Sequence, residues 1–191
     1  MMKTKESIEK IVIAAMICAV GILIPTFFPK IVIGAASFTL ASHVAVYLAM
    51  FISPAVGIAV GLGTTLGFLI SGLPIVVTLR ALSHIIFIVI GALWLTKHRY
   101  TLTSVKSMVV YTALISLIHA AAEVVVVTFF YFGGGLTEAN YAAGFFESVI
   151  LLVGLGGFVH SMVDFAIAIA VWKPITKILR TPYSALMVKE H

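Results

Sequence analysis

Charged side chains are scarce in this 191-residue chain: Lys, Arg, Asp and Glu make up 10% of it, against 62% hydrophobic residues. A soluble domain of this length needs a polar surface, so the composition excludes an ordinary soluble protein. The net charge of +5 does not call for a nucleic-acid partner, because the basic residues are distributed as in a membrane protein. The lipid bilayer is the first partner that the sequence predicts.

Several chemical signatures are also missing. Cys18 is the single cysteine, which excludes an internal disulfide. The nucleotide-binding pattern G-x-x-x-x-G-K-[ST] is absent, so the chain cannot itself drive transport by hydrolysing ATP. The nucleophile pattern G-x-S-x-G is absent as well, and no His, Cys or carboxylate cluster has the usual metal-ligand spacing. We expect no catalytic residue, no metal and no cofactor in this chain.

Long apolar runs, by contrast, fill most of the sequence. About 20 apolar residues match the thickness of a bilayer core, and lipid obliges the backbone to satisfy its own hydrogen bonds, which favours helices. Prolines and glycines divide the runs. We predict an all-α integral membrane bundle, one domain over 1–191 with six transmembrane helices at about 8–28, 38–52, 54–71, 74–96, 106–132 and 145–180.

The distribution of Lys and Arg predicts the orientation of this bundle, since cytosolic loops carry an excess of both. With both termini cytosolic, Lys30 is the one basic residue on the outer side and Arg80 lies within the membrane. The other ten all fall on the inner side: Lys3, Lys5, Lys10, Lys97, Arg99, Lys106, Lys173, Lys177, Arg180 and Lys189.

Ionisable residues inside the apolar runs indicate a functional or internal polar site. Each costs at least ~2.5–3.5 kcal/mol to insert into hydrocarbon. Six of the seven form pairs four residues apart, so both members of a pair share one helix face. The seven are His43 and the pairs Arg80/His84, His119/Glu123 and His160/Asp164.

The predicted depths of these residues favour a pocket that opens to the outer side. Arg80, His84, His43 and Glu123 fall in the outer halves of their helices, with His119 one turn deeper. Asn140 lies in the predicted loop 133–144 above them, and Tyr131 belongs to a run of aromatics beside it. An aromatic-lined cavity with a few placed polar groups is typical of a small-molecule site. The candidate substrate-binding residues are Arg80, His84, Glu123, Asn140, His43, Tyr131 and His119.

Structural roles are the alternative for each of these residues. Arg80 and Glu123 form either a structural ion pair or part of a ligand site, because a guanidinium suits any carboxylate. His43 and His84 serve a ligand or an interhelical hydrogen bond, and His119 is expected to be structural. The pair His160/Asp164 is interpreted as packing rather than a proton relay, and the aromatics suit an interface belt as well as a pocket wall.

Small residues four apart suggest close helix packing in lipid. On helix 3, Gly57/Gly61 and Gly63/Gly67 are expected to pack inside the bundle. On helix 1, Ala15 and Ala19 leave a smooth groove that another protein can use.

A basic N-terminal stub, six predicted helices in 191 residues and the Ala15/Ala19 pair together resemble the substrate-binding S-components of energy-coupling factor vitamin transporters. The resemblance covers the whole chain. It implies that Ala15 and Ala19 face a transmembrane coupling subunit, that two cytosolic ATPase subunits use ATP, and that the assembly lies in a bacterial plasma membrane. It also implies vitamin binding near the outer face by the loops at about 25–37, 71–74 and 133–144.

Within that family, the stretches 42–44 and 79–84 look most like pantothenate-type members. Arg80 argues for an anionic ligand, and pantothenate offers it a carboxylate, with hydroxyl and amide groups for Glu123, His84 and Asn140. Pantothenate is therefore the first choice of substrate. Niacin, with a carboxylate and a flat ring, pyridoxine and hydroxymethylpyrimidine are the alternatives. Two other classes stay open: a membrane-embedded enzyme using His119/Glu123 or His160/Asp164, and an assembly subunit whose polar residues are structural.

Cysteine labelling tests the predicted topology. In a Cys18→Ala background, a cysteine at Glu138 should react with a membrane-impermeant maleimide added to intact cells, because position 138 is predicted to lie outside. A cysteine at Arg99 should react only after the cells are opened. The opposite pattern would invert the orientation of the whole site.

Overall fold

The computed structural model describes residues 2–33, 36–178 and 183–187. Helices predominate over this part of the chain, as predicted for a membrane bundle, and one short antiparallel hairpin accompanies them. In chain order the elements are α1 (Met2–Phe27), β1 (Lys30–Ile33), β2 (Ala36–Thr39), α2 (Val44–Ile52), α3 (Pro54–Ile70), α4 (Ile75–Lys97), a 3-10 turn (Thr101–Thr103), α5 (Val105–Phe132), α6 (Glu138–Phe145), a π-helix (Phe146–Gly156) and α7 (Gly157–Ile175).

Four helical segments of the described chain are long and apolar enough to cross a bilayer. They are Glu6–Phe27, Ile75–Lys97, Val105–Phe132 and Glu138–Ile175. Helix α3 is apolar but has 17 residues, and α2 has only 9, a length of about 14 Å.

Helix α2 forms the centre of the bundle. Its sequence is apolar all round, and each of its nine residues is buried, as expected of a helix with neighbours on every side. It packs against α1, α3, α4 and α7. The Tyr47 ring lies 5.0 Å from Phe165, and the Phe51 ring lies 5.6 Å from Trp172. The core therefore encloses α2, and whatever lies at the start of α2 is held deep in the protein.

Helix α3 approaches its neighbours closely through glycines on two faces. A Cβ atom on Gly57 would lie 2.8 Å from Ile88 of α4, and one on Gly63 would lie 2.6 Å from Cys18 Sγ of α1. Because lipid provides no hydrophobic drive for helices to associate, such close contact supplies the packing energy. The internal packing expected for these glycines is confirmed.

The second helix begins later than predicted. A start near residue 38 was expected, but Ala36–Thr39 pairs with Lys30–Ile33, with Lys30 opposite Thr39 and Ile33 opposite Ala36. The β-branched side chains of residues 31–33 favour this extended conformation. Ala41 then has a φ of 66°, in the left-handed region that cannot continue a right-handed helix.

The stretch after α5 also differs from prediction. Helix α6 (Glu138–Phe145) falls mostly within the predicted polar loop 133–144, and Thr137 and Asn140 make a capping box at its start. The chain bends at Gly144, where φ is 83°, before the π-helix. Helix α7 ends at Ile175 and turns follow to residue 178. The predicted extension to Arg180 ends outside the described residues.

Packing at Gly57 can be tested by enlarging the side chain. Gly57→Leu should destabilise the protein by at least about 1–3 kcal/mol, because the added atoms meet Ile88 and the Met50 backbone. The control Ala59→Leu adds its bulk on the exposed face of the same helix and should leave stability unchanged. Size-exclusion chromatography after heating in detergent measures both, and equal melting temperatures for the two variants would contradict this packing.

A buried polar cluster beneath a cavity

Helices α4 and α5 bring Arg80 and Glu123 together as a partly buried ion pair. Arg80 Nη2 donates to Glu123 Oε2 at 2.8 Å. Glu123 is 2% exposed, whereas the Arg80 side chain keeps 27% of its surface accessible. The buried Nε atom of Arg80 has no hydrogen-bond partner among the described residues. Arg80 thus neutralises Glu123 while it keeps a donor and accessible surface for another group.

Two histidines approach the same carboxylate. His84 Nε2, one turn along α4 from Arg80, donates to Glu123 Oε1 at 3.3 Å. His119 Nε2, one turn before Glu123 on α5, lies 3.6 Å from Oε2, which is too long for a hydrogen bond. His119 is 1% exposed, and neither of its ring nitrogens has a hydrogen-bond partner in the part of the chain that the structure describes.

Asp164 on α7 is a second buried carboxylate, and it holds the start of α2. Its Oδ1 accepts the Ala41 N–H at 2.7 Å, and its Oδ2 accepts the His43 N–H at 2.9 Å. His43 Nδ1 also donates to Oδ2 at 2.9 Å. A carboxylate at the positive end of a helix is favourable, so Asp164 fixes both the turn before α2 and the His43 ring.

Ring contacts join the two carboxylate centres into one cluster. The His43 ring centroid lies 5.1 Å from His84, 4.6 Å from His119 and 5.1 Å from His160. His160 Nε2 lies 3.3 Å from Asp164 Oδ2. The pair His160/Asp164, interpreted from the sequence as packing rather than a proton relay, belongs to the same cluster as His43 and Glu123.

A cavity of about 240 Å³ lies against this cluster. It is bounded by α1, the hairpin, the turn between α3 and α4, and helices α2 to α5 and α7. Its charged, polar and aromatic lining residues are Lys30, Phe38, Thr39, Ser42, His43, Thr64, Phe68, Arg80, His84, Glu123 and His160.

The structure brings together five of the residues predicted for the site, namely Arg80, His84, Glu123, His43 and His119. All of them except His119 line the cavity. The hairpin region and the turn at Leu73 and Pro74, two of the three loops that the resemblance implied, also line it.

Asn140 and Tyr131 lie elsewhere. Asn140 Oδ1 accepts hydrogen bonds from the backbone N–H and hydroxyl of Thr137 at the start of α6. The Tyr131 ring packs against Tyr141 and Phe145, at 5.0 and 5.3 Å. Neither residue lines the cavity, and nor does any residue of 133–144. The polar groups of Thr137 and Asn140 are used in capping α6, and a contribution of this loop to ligand binding stays a prediction.

Sequence reasoning missed several lining residues. Phe38 and Ser42 lie on or next to the hairpin, which was assigned to a helix, and Thr64 and Phe68 lie on α3 without a distinguishing pattern. Lys30 did carry a signal, as the one basic residue assigned to the outer side.

We expected no metal site because no suitable ligands are closely spaced along the sequence. The fold, however, brings ligand-type side chains together from distant positions. His43, His84, His119 and Glu123 come from three helices, yet one ligand-type atom from each lies within 4.8 Å of the others. Residues 43, 84 and 119 are separated by 35 residues or more along the sequence. Sequence spacing alone therefore does not reveal such a group.

Comparison with known proteins gives one close relative in sequence. The chain is 42% identical over 175 residues to a protein named niacin transporter NiaX, from Lactococcus lactis subsp. cremoris (strain MG1363). The aligned region covers 91% of this chain and 77% of that protein. No family model and no solved structure matches the chain.

Proposed function

Because this chain belongs to the S-component family of energy-coupling factor transporters, we propose that it captures niacin in the 240 Å³ cavity at the outer face of the membrane. It is a multi-pass protein of the bacterial plasma membrane. The observation that carries the proposal is Arg80, whose side chain lines the cavity and keeps 27% of its surface accessible.

The cavity has the chemistry that niacin requires. Arg80 offers a planar fork for a carboxylate, and Lys30 adds a second positive charge at the cavity wall. Phe38 and Phe68 offer aromatic surfaces for a flat ring. The Ser42 hydroxyl at the cavity wall is a hydrogen-bond donor suited to the pyridine nitrogen. These residues would position the ligand through its charge, its ring and its single ring nitrogen.

Niacin fits better than pantothenate, the first choice from sequence. A relative named for niacin is 42% identical, and the cavity volume of about 240 Å³ is below the ~300–1,000 Å³ typical of sites for drug-sized ligands. Asn140, which was expected to bind the hydroxyl and amide groups of pantothenate, does not line the cavity. Pyridoxine and hydroxymethylpyrimidine lack the carboxylate that Arg80 suits.

The proposal assigns ligand binding, and no catalysis, to the histidines and carboxylates of the cluster. The delivery of niacin to the cytosol requires partners: a transmembrane coupling subunit and two cytosolic ATPase subunits that use ATP. The proposed arrangement has six spans with both termini cytosolic, which puts the cavity mouth outside.

Helix α1 supports the proposed contact with the coupling subunit. Ala15 and Ala19 are exposed, between large exposed apolar side chains such as Met16 and Val20. The other face of α1 packs on α3, where Gly21 approaches Thr64. The bundle is therefore complete without the Ala15/Ala19 face, which leaves that face for lipid or for a partner.

Selectivity between niacin and nicotinamide tests the ligand site. Nicotinamide has the same ring but no negative charge, so it should bind about 10- to 100-fold more weakly, the equivalent of about 1.5–3 kcal/mol for a charged hydrogen bond. Arg80→Ala should weaken niacin binding by that factor and reduce the preference for niacin to match. Isothermal titration calorimetry in detergent measures both ligands, with Arg99→Ala as a control on the other side of the protein.

Arg80→Ala leaves Glu123 buried without its partner, which risks misfolding. The double variant Arg80→Met/Glu123→Gln removes both charges and retains comparable volumes. A folded double variant that keeps the full wild-type preference for niacin over nicotinamide would refute the assignment of the carboxylate to Arg80.

Separation of binding from uptake tests the role of α1. Ala15→Trp and Ala19→Trp should abolish niacin uptake by cells that contain the partner subunits, because a bulky side chain prevents close helix approach. Both variants should bind niacin normally as isolated chains, since these alanines face away from the cavity. Ala121→Trp, at an exposed alanine of α5, is the control and should retain uptake. Normal uptake by both α1 variants would show that this face contacts lipid.

A further inference from the structure

His43, His84, His119 and Glu123 form a group that niacin binding does not fully explain. Their ligand-type atoms lie within 4.8 Å of one another, although the residues come from the start of α2, from α4 and from α5. Imidazole nitrogens with a carboxylate oxygen are the ligands that zinc and neighbouring first-row metals prefer.

His119 is the strongest indication that something else belongs here. The residue is 1% exposed, and both ring nitrogens are buried without a hydrogen-bond partner among the described residues. Buried polar groups in folded proteins are almost always paired, because an unpaired one loses its interaction with water and gains nothing. His119 does not line the cavity, so a ligand held in the cavity does not reach it directly. A metal ion between His119 and its neighbours would give one of its nitrogens a partner.

The spacing around Glu123 is close to that of a metal centre. With metal–ligand bonds of 2.0–2.1 Å, the ligand atoms of a tetrahedral zinc site lie about 3.3 Å apart. His84 Nε2 lies 3.3 Å from Glu123 Oε1, and His119 Nε2 lies 3.6 Å from Glu123 Oε2. Each of these histidine nitrogens thus lies near tetrahedral ligand spacing from one oxygen of Glu123, and the two oxygens differ.

Asp164 orients the His43 ring so that it can serve as a third ligand. Its Oδ2 accepts from His43 Nδ1 at 2.9 Å, which leaves Nε2 as the nitrogen of that ring able to bind a metal. A carboxylate that holds the second nitrogen of a metal-binding histidine is a recurrent supporting contact, because it fixes the tautomer and the ring orientation.

The charge of the site also favours a cation. Glu123 and Asp164 are both buried, and Arg80 neutralises only one of them. Metal-binding imidazoles are neutral, so the histidines add no positive charge in that state. An anionic ligand in the cavity adds one more negative charge, which Lys30 at the cavity wall partly balances. A divalent ion beside the cavity would offset the remaining carboxylate charge and attract the ligand.

We infer that His43, His84, His119 and Glu123 bind one divalent first-row metal ion, with zinc as the reference case, and that this ion strengthens binding of an anionic ligand in the cavity. The site itself is independent of the identity of the ligand, but the effect of the ion on binding rests on the proposed niacin function.

Metal binding to the full chain in detergent tests the site, with protein purified through a tag that contains no histidine. After chelation and dialysis, the wild type should bind one equivalent of Zn²⁺ by elemental analysis. With Co²⁺ it should show the visible absorption bands of a cobalt ion in a site of nitrogen and oxygen ligands. His119→Gln, which keeps a polar side chain, should weaken Zn²⁺ binding by more than the roughly 10- to 100-fold typical of supporting residues. His98→Ala, at an exposed histidine at the end of α4, should bind Zn²⁺ as the wild type does.

The Zn²⁺ measurement on the wild-type protein tests the metal site even if a variant fails to fold. Wild-type protein that retains no Zn²⁺ would overturn the metal site, and so would a folded His119→Gln protein with unchanged Zn²⁺ affinity.

Niacin titrations on the same samples, with Zn²⁺ or with chelator, separate this inference from the proposed function. Affinity for niacin that falls at least tenfold on chelation supports the role of the ion. Zn²⁺ retention with equal niacin affinity in both conditions overturns that role. Niacin binding without any Zn²⁺ retention rejects the metal and leaves the function standing, whereas Zn²⁺ retention without niacin binding in either condition rejects the function and leaves the metal site.

Discussion

Burial of two carboxylates in a membrane bundle is the constraint on which this structure depends. Glu123 and Asp164 are 2% and 0% exposed, and an isolated buried charge is too costly to persist without partners. Arg80 and His84 approach Glu123, while His43 and the backbone before α2 approach Asp164. These contacts tie α4 to α5 and α7 to α2, so the same interactions that compensate the charges also hold the helices in register. They leave an accessible guanidinium at a small cavity, which is the feature that a carboxylate ligand needs.

The apolar part of the bundle makes this polar arrangement possible. Helix α2 is short and buried on all sides, so its N-terminal end, with His43, lies inside the protein. Glycines let α3 approach α1 and α4 closely, which brings the cavity walls together without long side chains in between. The face of α1 that carries Ala15 is not needed for this packing and stays exposed. One helix can thereby close the cavity on one side and offer a smooth surface on the other.

Local patterns in the sequence predicted the helices and several residues of the polar cluster. The features that were missed depend mainly on contacts between residues far apart along the chain. The helical class and the shared faces of Arg80/His84 and His119/Glu123 follow from hydropathy and from four-residue spacing, which act within one helix. The hairpin at Lys30–Ile33 and Ala36–Thr39 was missed because its apolar residues also suit a membrane helix, whereas the turn at Ala41 that follows is held by Asp164, 123 residues further on. Asn140 was assigned to the site from its depth, but it caps α6. The grouping of four ligand-type side chains arises only when α2, α4 and α5 pack.

A structure of the purified protein with niacin bound, by crystallography or electron microscopy, tests the central claim most directly. The account predicts the carboxylate of niacin within hydrogen-bond distance of Arg80 and its ring beside Phe38 and Phe68. Niacin bound instead among Tyr131, Tyr141 and the residues of α6, with the Arg80–Glu123 pair untouched, would contradict it.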